Sequence, residues 1–306
     1  MNSLRKAVKD YVEMRRALGY KMYKAAVLLP QFVNFLRQQG ASVITIPLAL
    51  QWAQSNKRAQ PAEWAQRLTI VRCFARHWSA TDPRTQIPPW GLLPHRPKRA
   101  RPYLYSDEEV QQLLQSARRL GGLRGPTYYS LFGLLCVSGL RISEALNLRS
   151  VDVDLSAGVL TIRGAKFGKS RLVPIHSTTQ KVLSEYVRYR DRAFARELSY
   201  FFVSKRGNRL RGGEVWRTFY ALSREIGLRG PTDSHGPRLH DFRHRLAVRT
   251  LVQWYRSGHD VEQRLPVLST YLGHVHVSDT YWYLSACPEL MGLAVKRLEK
   301  HWEGQS

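Results

Sequence analysis

Five side chains that are cationic or can carry a proton, Arg141, Lys166, His240, Arg243 and His274, interrupt apolar, core-like stretches of this 306-residue chain, and Tyr283 follows the last of them by nine residues. Such a set suits attack on a phosphodiester by protein side chains alone. The attack passes through a trigonal-bipyramidal state with added charge on the non-bridging oxygens, and guanidinium forks match those oxygens with paired, permanently charged hydrogen bonds. Arg141 and Arg243 fit that role. A phenol, whose ordinary pKa is about 10, needs cations around it to act as a nucleophile near neutral pH. His240 and His274 would assist by hydrogen bonding or proton transfer. A phosphotyrosine ester formed in this way conserves bond energy, so an incoming 5′ hydroxyl can reverse the step without ATP. Other phosphate-handling apparatus leaves searchable spacings, and the sequence has no G-x-x-x-x-G-K-[ST] loop, no G-x-S-x-G elbow and no Asp/Glu cluster of the two-metal type. The expected cofactor is none, and so is the expected metal.

Composition points to the substrate. Lys and Arg number 48 against 23 acidic residues, a formal charge of +25 that favours a polyanion over an acidic small molecule. Residues 1–102 carry 18 basic and 4 acidic side chains (net +14), and the remaining residues keep a net +11. Both parts therefore face the same polyanion, and nucleic acid is the natural partner. The cysteines Cys73, Cys136 and Cys287 are three in number, far apart and without a C-x-x-C pair, which argues against a disulfide framework or a thiolate metal site. No signal core opens the chain, and the most apolar stretch, around Leu131 to Leu140, is too short to span a bilayer. A cytoplasmic, nucleoid-associated protein with no membrane partner is expected.

The elements that must hold these side chains are mostly helical. Apolar periodicity predicts helices over 3–17, 22–39, 47–55 and 61–78, a small basic domain spanning about 1–90. Six prolines between Pro83 and Pro102, with several Arg and Lys residues, predict an extended linker over about 91–102, either tracking phosphates through Lys98, Arg99 and Arg101 or acting as a solvated spacer. Ser106 and Glu109 form a capping box that opens the second domain, 103–306. A buried helix over 126–137 stops at Ser138-Gly139, so Arg141 starts the next helix, 142–148. Residues 159–163 and 171–175 predict a β-hairpin whose tip carries Lys166, with Lys169 and Arg171 near it. Helices are expected at about 177–196, 213–227, 238–257, 264–272, 278–286 and 288–302. The fold class is thus mainly α with a small antiparallel β-sheet.

In four segments, in order, the sequence resembles the tyrosine recombinase, or phage integrase, family. SGLRISEAL (138–146) resembles the segment of its first catalytic arginine, which implies Arg141 with Glu144 as a supporting carboxylate. GAKFGKSRLVPI (164–175) resembles the hairpin of the catalytic lysine, implying Lys166 as general acid to the departing 5′ oxygen. LHDFRHRLA (239–247) resembles the H-x-x-R box, here His240 and Arg243. LGHVHVSDTYWYL (272–284) resembles the L-G-H segment and the nucleophile, here His274 and Tyr283. The basic helical domain fits the family's SAM-like core-binding domain by charge and helicity only. The resemblance implies a site-specific recombinase acting through a 3′-phosphotyrosyl intermediate in integration, excision or transposition. It further implies a clamp around double-stranded DNA, a homotetramer on two synapsed sites (monomer or dimer when free) and possible accessory DNA-binding proteins.

Several choices stay open on the sequence. Tyr281 lies two residues from Tyr283, and on a helix the two cannot face one phosphate, so Tyr281 reads as packing. His240 and His244 have the i, i+4 spacing of a zinc-binding helix, but Asp241 replaces the glutamate and no third ligand is evident. Lys169 is the alternative general acid, while Lys169 and Arg171 read as DNA contacts or solvated charges. The final amphipathic helix packs on its own domain or on a neighbouring protomer. A type IB topoisomerase shares the chemistry, and a non-catalytic DNA-binding protein needs only the basic surface.

Overall fold

The computed structural model of the chain describes residues 2–93, 102–164, 168, 170–194, 196–233, 236–284 and 287–303. Lys98, Arg99, Arg101, Lys166 and Lys169 lie outside the described residues. The chain divides into two compact units, Met1–Ala100 and Arg101–Ser306.

Four helices build the first unit: α1 Asn2–Ala17, α2 Tyr23–Gln38, α3 Ile46–Ala53 and α4 Pro61–Trp78. Leu4, Val8, Tyr11 and Val12 fall on one face of α1, and all four are buried. They meet Leu29, Phe32 and Leu36 of α2 and Val71 and Phe74 of α4 in one core. The start of the proline-rich stretch is not a free spacer. Arg72, 5% exposed on α4, donates Nε to Pro88 O at 2.7 Å and Nη2 to Pro89 O at 2.8 Å, and its guanidinium lies 4.5 Å from the Trp90 ring centroid. Prolines leave their carbonyls without local partners, and a buried arginine fork collects two of them.

The second unit surrounds one buried helix. Its elements are α5 Asp107–Arg118, α6 Arg124–Ser138, α7 Ile142–Asn147, β1 Val153–Asp154, β2 Val159–Ile162, β3 Arg171–Pro174, α8 Ser177–Arg192, α9 Gly212–Glu225, α10 Asp241–Arg256, α11 Val261–Leu272, α12 Ser278–Tyr281 and α13 Pro288–Glu303. The Ser106/Glu109 capping box is present at α5. Because α6 is apolar on nearly every side, α5, α8 and α10 pack around it. The strands form an antiparallel sheet in the order β1-β2-β3, with Ile162 opposite Arg171 at the root of the hairpin tip. Two-residue β1 is too short to leave a sequence signal.

Helix α13 packs on α10 of its own chain. Its Leu290 is fully buried against a cluster that includes Leu251 and Leu265, a burial that contributes about 1.5–3 kcal/mol. Arg297 Nη1 then donates to His259 O at 2.8 Å. Among the described residues no helix is long and apolar enough to cross a membrane.

Candidate active site

The turn between α6 and α7 does two tasks. Gly139 ends α6 in the left-handed region (φ 59°), which favours glycine, and a Cβ there would lie 2.9 Å from Leu246 Cδ2 and 3.0 Å from Leu272 Cδ2, so the glycine also lets the leucines of α10 and α11 pack close to this point. Its carbonyl, freed by the end of the helix, accepts Arg243 Nη1 at 2.9 Å. Two residues on, Arg141 caps α7, and Glu144 in the first turn reaches back to it: Oε2 accepts the Arg141 backbone N–H at 2.9 Å and Oε1 accepts Arg141 Nη1 at 2.9 Å.

Helix α10 starts from a buried carboxylate. Asp241, fully buried, accepts three hydrogen bonds from Arg238, at 2.9 Å from N, 3.2 Å from Nε and 2.9 Å from Nη2. Tyr105 stacks on Phe242 (centroids 4.5 Å apart) and donates its hydroxyl to Arg238 O at 3.1 Å. This fixes where His240 and Arg243 leave the helix. Arg243 is 2% exposed, and its Nη2 is buried without a hydrogen-bond partner. Burial lowers its pKa to about 10, offset in part by the neighbouring Tyr283 phenol and reinforced by the charge of Arg141, so the group stays cationic at neutral pH.

Helix α11 ends at Gly273 (φ 70°), whose carbonyl accepts Arg141 Nη2 at 3.0 Å. His274 follows, with Nδ1 2.7 Å from Thr280 Oγ1 and its ring nearly parallel to that of Tyr283 (centroids 5.9 Å, 19°). The His244 ring meets Tyr283 edge-on, with centroids 5.4 Å apart and planes at 60°. Tyr283 is 2% exposed whereas Tyr281 is 53% exposed. The helix expected over 278–286 stops at Tyr281, and tighter i→i−3 turns continue it, with Tyr283 N–H to Thr280 O and Leu284 N–H to Tyr281 O both 3.0 Å. That tightening separates the two tyrosines and turns Tyr283 inward. Burial, then the charge of Arg243, lowers the pKa of His274 to about 4. The same causes lower His240 to about 4, although this residue is the more exposed of the two. Both imidazoles are therefore neutral at pH 7 in the DNA-free chain.

The structure thus brings Arg141, Glu144, His240, Arg243, His274 and Tyr283 together, through the Arg141–Glu144 and Arg141–Gly273 bonds, the His274–Tyr283 ring pair and the charges of Arg243 and Arg141 felt by both histidines. Arg171, expected as a DNA contact or a solvated charge, is not the solvated charge: its side chain is 11% exposed and its fork is committed, Nη1 and Nη2 donating to Glu144 Oε1 and Oε2 at 3.0 and 2.9 Å, and Nε to Tyr271 O at 2.9 Å. Burial pushes the Glu144 carboxyl upward, but hydrogen bonds from Arg171 and the Arg141 backbone outweigh it and leave its pKa below the usual range. The rings of His240 and His244 sit perpendicular at 4.8 Å, and no group of three His, Cys, Asp or Glu side chains able to hold a metal occurs among the described residues.

Sequence reading also missed Thr280. Fully buried, it holds His274 Nδ1 and so leaves Nε2 as the nitrogen able to turn toward a substrate. Thr280→Val, which keeps the shape and removes the hydroxyl, should slow the expected cleavage step about fivefold, an orienting bond being worth about 1 kcal/mol, with Thr280→Ser restoring it. Single-turnover cleavage rates check this; equal rates for the Val variant and the natural chain would remove the role.

Residues 104–289 match the family model described as the phage integrase family. The chain is 57% identical over 314 aligned residues, covering all of both chains, to the Sinorhizobium fredii protein named "Putative integrase/recombinase y4rB". Two solved structures share the fold: XerH site-specific recombinase bound to palindromic difH substrate (TM-score 0.67, 17% identity, 97% of this chain and 84% of that one) and the Tn1549 transposon integrase with transposon right end DNA (TM-score 0.66, 15% identity, 96% and 98%). The mainly helical fold with its small antiparallel sheet, and a family match over more than half the sequence, place this chain in the phage integrase family of tyrosine recombinases. It is a DNA breaking and rejoining enzyme.

Proposed function

We propose that Tyr283 attacks the scissile phosphodiester of double-stranded DNA and forms a 3′-phosphotyrosyl bond, serving integration, excision or transposition of a mobile element. The observation that carries this is Arg243: a fully charged guanidinium, 2% exposed, next to the Tyr283 phenol and with Nη2 left over. A buried donor without a partner costs about 1–3 kcal/mol, a cost that an anionic oxygen placed there returns. Arg141 and Arg243 hold the non-bridging oxygens. His274 and His240 donate to them or take the phenolic proton. Lys166, five residues before Arg171 on the hairpin, protonates the departing 5′ oxygen, with Lys169 as its substitute. The first unit and Lys98, Arg99 and Arg101 add phosphate contacts, so affinity falls steeply with salt. Four protomers on two sites exchange strands in pairs, one or two chains being the free state, in the cytoplasm and on the nucleoid, with accessory DNA-binding proteins where the site requires them.

The test maps covalent adducts across genomic fragments around the chain's own coding region. Adducts at a discrete sequence, with the nucleotide on the peptide holding Tyr283, are expected, followed by exchange between two copies of that sequence. Relaxation of any supercoiled plasmid without two-site exchange would instead assign a type IB topoisomerase activity, and binding with no adduct on any fragment would make this a non-catalytic binder.

A further inference from the structure

Glu144 is 7% exposed and sits between two arginines. Oε1 accepts from Arg141 Nη1 (2.9 Å) and Arg171 Nη1 (3.0 Å), and Oε2 from Arg171 Nη2 (2.9 Å) and the Arg141 backbone (2.9 Å). Four donors fill the four lone-pair sites of a carboxylate. Arg141 therefore gives Glu144 one side-chain N–H and Gly273 O another, and keeps the rest of its fork unspent. Arg171 sits at the first residue of β3, is fixed further by Tyr271 O, and packs so closely on Gly273 that a Cβ there would lie 2.6 Å from its Nη1.

We infer that Arg171 is a positioning residue for strand cleavage: by occupying both oxygens of Glu144 it keeps that carboxylate from capturing the Arg141 fork, and so leaves Arg141 to the scissile phosphate. Two cations on one anion also leave the pocket with a net positive charge. Take Arg171 away and one buried carboxylate faces one guanidinium, for which the favoured geometry is the two-pronged pair. Arg141 would then swing onto Glu144 and be lost to the substrate. The same three contacts join the segment of Arg141, the hairpin root and the end of α11, so one side chain sets the spacing of three of the four segments that carry the chemistry. This inference rests on the reading of Arg141 as a phosphate ligand.

The experiment is a double-mutant cycle on the full-length chain, read as single-turnover adduct formation on a nicked duplex carrying the mapped site, with DNA affinity and thermal melting alongside. Arg171→Met is expected to slow cleavage on the order of 100-fold, the scale of losing one charge-stabilising group. A neutral amide cannot capture Arg141, so in a Glu144→Gln background the same substitution is expected to change the rate less than about threefold. Equal losses in both backgrounds, or natural cleavage by Arg171→Met, overturn the inference. Should the Met variant fail to fold, Arg171→Lys, which keeps the charge but reaches one oxygen, carries the same cycle. Arg141→Ala separates the two levels: if it cleaves normally, the phosphate-ligand reading fails, and if it is inactive while Arg171 is additive with Glu144, only the inference fails.

Discussion

Tyr283→Phe is expected to bind the mapped DNA site with natural affinity and to form no covalent adduct, while Tyr281→Phe forms adducts at the natural rate. The phenolic oxygen is the whole of the difference in the first case. Removing it leaves the ring between His274 and His244, so packing and fold are kept. Removing a nucleophile without an adjacent substitute abolishes the covalent step, and Tyr281 faces solvent and cannot replace it. Gel-shift affinity and denaturing-gel adduct yield on a nicked duplex measure both halves. Adducts formed by Tyr283→Phe would transfer the role elsewhere.

Arg243→Met is the second large effect. Cleavage is expected to fall about 10³-fold, the upper end of what a charge-stabilising donor supplies in a water-poor site. Stability should move the other way or not at all. A buried guanidinium with an unpartnered Nη2 and a pKa held down by burial is poorly solvated, and replacing a buried ion with an apolar side chain of similar length is often neutral or stabilising. The lost bond to Gly139 O and the lost polar interaction with the Tyr283 phenol limit the gain. A DNA-free melting temperature unchanged or raised, together with a lost cleavage rate, marks a residue kept for chemistry. A large fall in melting temperature would instead make Arg243 a structural strut.

The candidate site was legible because its residues lie in segments where chemistry and backbone agree. Ser138-Gly139 reads as a helix stop, and the structure uses that glycine both to end α6 and to admit Leu246 and Leu272 beside it. Glu144, a supporting carboxylate by the resemblance alone, lies in the first turn of α7 and reaches back to Arg141. What was not legible is tertiary. Arg171 carries an ordinary surface residue type at the edge of a basic tip, and nothing local says that a buried carboxylate from another segment takes its fork. Thr280 lies six residues from His274, a spacing with no helical meaning until the chain turns between α11 and α12. Periodicity starts α11 at about 264; Asp260 instead caps it by accepting from Glu262 and Gln263 N–H, so the helix begins at Val261 and tolerates Pro266 inside. The tightened turn after Tyr281 arises in the same way, from packing of Tyr283 under two imidazoles and not from propensity.

Tyr283, Arg141 and Arg243 come from one unit of one polypeptide, with the Tyr283 ring flanked by histidines of its own chain. On the proposed reading, a subunit that carries its own tyrosine beside both arginines needs no tyrosine lent by a neighbour, and what neighbours would add is timing and alignment.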